Sequence, residues 1–191
     1  MAGPTQDAEH ARETLAYIRQ TMESATTFTA VSGWGLVAAG GIGLVAAWVG
    51  WLAGAPTSLG VWIPAALLAL CASGAGNAIK ARRLRVPLWT GSFRKMVWGL
   101  TPALIAGAFL TLALVQHDRT LLPGAWLAVY GAGVTATAAF SVRALRWMGL
   151  GMLGLGAVAL VQPTLGLLCA ALGFGGAHAA FGLYIVYRHG G

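Results

Sequence analysis

The stretch from Thr29 to Ala53 reads TAVSGWGLVAAGGIGLVAAWVGWLA and holds no charged side chain. About 20 apolar residues in helical form cross roughly 30 Å of hydrocarbon. The segment must be helical there, because each unpaired backbone group in lipid costs several kcal/mol. Five more runs satisfy the same length test, approximately Val61 to Ile79, Met96 to Gln116, Leu121 to Ser141, Leu145 to Gln162 and Leu165 to Tyr187. None alternates as a membrane barrel strand would. The expected fold is therefore all-α: a polytopic membrane protein with a six-helix transmembrane bundle over residues 28–191, arranged as three helical hairpins. Residues 1–27 are expected to form an amphipathic cytoplasmic helix.

Composition agrees. Hydrophobic residues make up 58% of the chain, charged residues only 9%, and the mean hydropathy is +0.73, well outside the range of a soluble domain of this length. The net charge of +7 would point to nucleic acid in a soluble protein, but here the cations sort by membrane face, so nucleic-acid binding is not inferred. The N-terminus, residues 80–95, residues 142–146 and the C-terminus together carry every Lys and Arg except Arg119. Positive loops stay in the cytoplasm, which places both termini there. Trp34, Trp89, Trp98 and Trp147 then fall near the inner interface, with Trp48, Trp51, Trp62 and Trp126 near the outer one, as interfacial aromatics should.

Spans one, three and five open alike, with Trp34-Gly35-Leu36, Trp98-Gly99-Leu100 and Trp147-Met148-Gly149-Leu150, a hint of a repeated hairpin. Glycine and alanine create small-xxx-small spacings at Ala39/Gly43, Gly50/Gly54, Ala103/Gly107 and Gly175/Ala179. Such pairs let helix backbones approach closely in lipid, and they leave homo-oligomerisation open. Cys71 and Cys169 lie in apolar runs at different depths, so neither a disulfide nor a metal site is expected.

Ahead of the spans, Ala8, Ala11, Leu15, Ile18, Met22 and Ala25 form one apolar seam at three-four spacing, the mark of a helix with one face to bury. Thr5 or Asp7 is placed to cap it. Asp7, Glu9, Glu13 and Glu23 make it acidic, so anionic lipid repels it and its target is protein: the bundle itself, a second copy or a cytoplasmic partner. The basic order of a secretory signal is missing, so the segment is expected to stay in the mature chain. The loop carrying Lys80, Arg82, Arg83, Arg85, Arg94 and Lys95, with Trp89 and Phe93 between them, is suited to anionic lipid headgroups or to a partner.

Chemistry is sparse. All five carboxylates lie outside the spans, so no intramembrane acid exists to carry a proton or coordinate sodium. No phosphate-binding glycine loop, metalloprotease motif or selectivity filter occurs. His178 is the single histidine within a span, which leaves no bis-His haem set, and no cofactor is expected. The strongly polar side chains inside spans are Asn77 and His178, with Ser73 one turn from Asn77. A hydrogen bond from His178 to Ser73 or to Asn77 would join helices.

Cys71-Ala72-Ser73-Gly74 and Ala177-His178 resemble the Gly-x-Ser-Gly and Ala-His elements of the rhomboid intramembrane serine proteases, which share a six-helix core. The resemblance implies Ser73 as nucleophile and His178 as base. The chain departs from that pattern: Cys71 stands for the first glycine, the serine lies on the second span, and the family's upstream His and Asn have no counterpart. The favoured expectation is a structural contact. More broadly, His10-Ala11-Arg12-Glu13-Thr14-Leu15, Phe28-Thr29-Ala30-Val31-Ser32-Gly33-Trp34-Gly35 and Leu121-Leu122-Pro123-Gly124-Ala125-Trp126 resemble a group of uncharacterised six-span bacterial inner-membrane proteins. That likeness implies the same plan and a bacterial inner membrane, and it supplies no activity.

The functional expectation is a non-enzymatic scaffold or sensor component working through its cytoplasmic face. The alternatives are a small-molecule transporter or channel, and an intramembrane hydrolase using Ser73 and His178.

Overall fold

A computed structural model describes residues 9–10, 12–18 and 31–189. The described chain is all-helical and contains six helices long and apolar enough to span a membrane, which makes it a multi-pass membrane protein. The first three are α1 (Gly33–Leu52), α2 (Leu59–Arg83) and α3 (Gly91–His117). The fourth is α4 (Leu122–Thr137), flanked by 3-10 turns at Arg119–Leu121 and Ala138–Phe140, and the fifth is α5 (Arg143–Val161). The sixth is composite: α6 (Gly166–Ala170), a π-helical segment (Ala171–Ala177) and α7 (His178–His189).

Two helices outrun their apolar cores. α2 continues past Ile79 through Lys80, Arg82 and Arg83, and α3 begins at Gly91, a turn and a half ahead of Met96. Charge ends the hydrocarbon crossing but not the helix, since Thr90 accepts the Phe93 N–H at the start of α3, satisfying an otherwise orphaned donor.

Two ends close in the Schellman pattern. After α1, Ala55 N donates to Gly50 O and Gly54 N to Trp51 O, with Gly54 at φ 61. Gly50 and Gly54 thus belong to a helix stop, rather than to a second helix-packing face. After α2, Val86 N donates to Ala81 O and Arg85 N to Arg82 O, with Arg85 at φ 54. An arginine there occupies backbone space usually given to glycine.

The bundle is organised around close backbone approach. α1 packs on α2 and on the composite sixth span; α4 packs on α3 and, most extensively, on α5. Along the α1 and sixth-span seam, a Cβ added at Gly40 would stand 2.6 Å from Ala179 N, and one at Gly43 2.6 Å from Phe174 O. Between α4 and α5 the same holds at Gly131, 2.7 Å from Gly149 O, and at Gly156, 2.6 Å from Ala128 N. The largest fully buried side chains, Leu127, Met152 and Ile185, come from α4, α5 and α7. By contrast, few residues of α2 and α3 are fully buried. The most extensive pairing falls between spans four and five.

Residues 12–18 are helical, with Thr14 Oγ1 bonded to His10 O. Leu15 and Ile18 of the apolar seam are exposed, at 66% and 47%. Ala8, Ala11, Met22 and Ala25, with the caps Thr5 and Asp7, lie outside the described residues.

Candidate functional site

Buried polar side chains concentrate at the end of the bundle where α1 starts and α2 ends. Ser32, Lys80, Ser92, Thr137 and Ser141 are all buried there. Ser32 caps α1 by accepting the Gly35 N–H at 3.1 Å. Its own N–H donates to Asn77 Oδ1 at 2.8 Å, and Lys80 Nζ donates to Val31 O at 3.0 Å. Three residues apart, Asn77 and Lys80 share one face of α2 and grip backbone groups of the two residues that lead into α1. Small residues permit the approach: a Cβ at Gly76 would lie 2.9 Å from Gly35 Cα.

Three sequence expectations change at this end of the bundle. The charge pattern groups Lys80 with the surface cations, yet it is 4% exposed, because its ammonium is turned into the α1 junction instead of out to headgroups. The sequence makes Asn77 a possible partner for His178, yet its carbonyl oxygen accepts the Ser32 N–H. Ser73 is spent in the same place, with Oγ 3.5 Å from Gly35 O.

His178 sits at a different centre, halfway along the sixth span. Nδ1 lies 3.1 Å from Gly173 O and Nε2 3.2 Å from the Tyr130 hydroxyl. A carbonyl only accepts, so Nδ1 carries the hydrogen and Nε2 accepts from the hydroxyl. Both ring nitrogens are occupied, and no Ser73–His178 pair forms. The ring stacks on Tyr130 at 5.7 Å, and Phe174 lies against Tyr130 at 5.8 Å. The π-helical turn explains the reach: its wider winding presents Gly173 O to a side chain five residues on, and the run Gly173-Phe174-Gly175-Gly176 lowers the cost of that winding. Tyr130 went unnoticed in the sequence, although a tyrosine in mid-span instead of at an interface was a readable signal. Double-mutant cycles in membrane bundles average about 0.6 kcal/mol for such bonds and reach about 1.7. We expect a Tyr130→Phe and His178→Ala cycle, read by unfolding in mixed micelles, to return a coupling within that range.

The remaining polar groups in the spans are tied locally. Thr111 donates to Gly107 O and accepts from Trp126 Nε1; Thr135 and Thr137 donate to Gly131 O and Val134 O. An apolar groove of about 580 Å³ opens between α1 and α2 in the other half of the bundle, lined by Ala38, Gly41, Val45, Gly60, Pro64 and Leu68 among others. A Cβ at Gly41 would meet nothing within 4 Å, whereas one at Gly76 would lie 2.9 Å from Gly35 Cα. Among the described residues no group of three His, Cys, Asp or Glu side chains is placed to hold a metal, and Cys71 and Cys169 are free thiols.

At the basic end, Arg82, Arg83, Arg85, Arg94, Lys95, Arg143 and Arg146 are exposed. Lys95 lies 5.7 Å from the Phe140 ring centroid, which brings the start of α3 against the α4–α5 turn. Trp34, Trp89, Trp98 and Trp147 are exposed around the same end. Far from it, Asp118 accepts from Thr120 N at 2.9 Å and from its hydroxyl at 2.6 Å. These bonds hold its carboxyl below the ordinary carboxylate range. A depressed folded pKa means the cap is present at neutral pH and lost only as pH falls through that value; carboxyl chemical shifts followed against pH check this.

Comparisons with protein-family models, curated proteins and solved structures find no match.

Proposed function

We propose that the chain is a non-enzymatic scaffold or sensor component of a bacterial inner membrane, with both termini and the basic end in the cytoplasm and the six spans grouped as three hairpins. One observation carries the reading: the basic end joins a fixed, buried polar clamp to an exposed set of charged and apolar side chains. Ser32, Asn77 and Lys80 lock the entry of α1 to α2, while Arg82, Arg83, Arg85, Arg94 and Lys95 stay exposed beside it. Helical residues 12–18 leave Leu15, Tyr17 and Ile18 exposed. A rigid anchor with exposed groups of both kinds is what docking requires.

The transporter and hydrolase alternatives draw no comparable support, since Asn77, Ser73, His178 and the span threonines are each engaged with protein groups. A photo-reactive residue at Leu15, and separately at Val161 on the other end, tests the scaffold reading in intact cells. Discrete protein adducts from Leu15 and none from Val161 are the expected result; equal capture from both positions, or none from either, overturns it.

A further inference from the structure

Arg85 stands at φ 54, where its Cβ crowds the following carbonyl oxygen, a cost glycine avoids. The stop after α2 would form at less cost with glycine, as the stop after α1 does at Gly54. A residue kept in a strained conformation points to work done by its side chain. Its neighbours show what work. Arg82 and Arg83 occupy the last turn of α2 and are exposed with it, and Leu84, Val86 and Trp89 are exposed among them, at 52%, 43% and 63%. None of the three arginines makes an ion pair among the described residues. Three guanidinium groups beside three apolar side chains, at the end of a spanning helix, match a surface that is anionic outside and apolar just beneath.

We infer that Arg82, Arg83 and Arg85 form a phosphate-binding fork for anionic phospholipid headgroups of the surrounding bilayer, with Leu84, Val86 and Trp89 inserted beside the headgroup. Guanidinium groups bind phosphate oxygens bidentately, and the left-handed turn at Arg85 sends its side chain off the helical path of Arg82 and Arg83. The apolar neighbours commit the site to lipid in place of a free phosphate, which has no use for them. This deepens the scaffold reading by naming the lipid partner of the same face. A test with purified protein and defined lipid needs no protein partner, so its failure leaves the cross-linking result standing.

The full chain is reconstituted in nanodiscs of phosphatidylcholine with and without phosphatidylglycerol, and retained lipid is counted by native mass spectrometry alongside the thermal midpoint. Wild type should retain phosphatidylglycerol in preference to phosphatidylcholine. Each of Arg82→Gln, Arg83→Gln and Arg85→Gly should weaken that preference about fivefold, as expected for one cation at an anionic surface, and Arg85→Lys should lose less than Arg85→Gly. In phosphatidylcholine alone, Arg85→Gly should raise the midpoint, since only the backbone cost is removed. An unchanged preference in all three variants overturns the assignment. So does equal loss from Arg94→Gln, or full displacement of the lipid by millimolar inorganic phosphate. A lowered midpoint for Arg85→Gly removes the strain argument and overturns it as well.

Discussion

Substituting Gly40 with alanine should destabilise the bundle by about 2 kcal/mol, whereas the same change at Gly41, one residue on, should be neutral or slightly stabilising. The added Cβ at Gly40 meets Ala179 N at 2.6 Å, Gly175 O at 2.7 Å and Ala179 Cα at 3.0 Å. All three are backbone atoms, so no side chain can swing aside, and α1 must separate from the sixth span. Overpacking of that kind costs about 1 to 3 kcal/mol, and separation also forfeits dispersion contacts along the seam, the main source of helix association in lipid. At Gly41 the Cβ meets nothing within 4 Å, and alanine is the better helix former by roughly 0.5 to 1 kcal/mol. Steric-trap or denaturant unfolding in mixed micelles compares the two variants directly. If Gly41→Ala cost as much as Gly40→Ala, the seam would not lie where these distances put it.

The second large effect is expected at Asn77, through the clamp. Asn77→Leu keeps the side-chain volume and makes α2 more apolar, so insertion into the membrane should improve. Folded stability should nevertheless fall by about 1 to 3 kcal/mol, the cost of leaving a buried donor without a partner, because Ser32 N loses Oδ1 at 2.8 Å. Hydrogen exchange gives the more specific readout. The amides opening α1, Ser32 to Gly35, should lose protection selectively, while those of the α4–α5 pair keep theirs. Uniform loss across both pairs would mean that Asn77 acts on the whole bundle instead of on the α1 junction. Lys80 provides the internal comparison: Lys80→Met removes the bond to Val31 O and should affect the same amides.

Much of the fold was legible because lipid imposes a single rule on the backbone. Runs such as Thr29 to Ala53 could only be helices, and their number and order follow from length alone. Trp34, Trp89, Trp98 and Trp147 and the cations Arg82, Arg83, Arg85, Arg94 and Lys95 are exposed at one end of the described bundle. Of the small residues in those pairs, Gly43 meets Gly175 across one seam, while Ala179 meets Gly40. Gly50/Gly54 is a helix stop, which the same spacing cannot distinguish.

Partnership was what the sequence could not contain. Ser73, Asn77 and His178 were identifiable as polar groups needing partners, but which partner each takes depends on helix rotation about its own axis, and apolar spans carry almost no periodic signal to set it. The structure sends Ser73 and Asn77 to the α1 junction and His178 to Tyr130, and turns Lys80, in the last turn of α2, inward where charge counting leaves it outside. Counting residues fixes depth along the membrane normal. Rotation and neighbour choice are decided by which glycine-lined faces can close on each other, a property of pairs of helices that no single segment encodes.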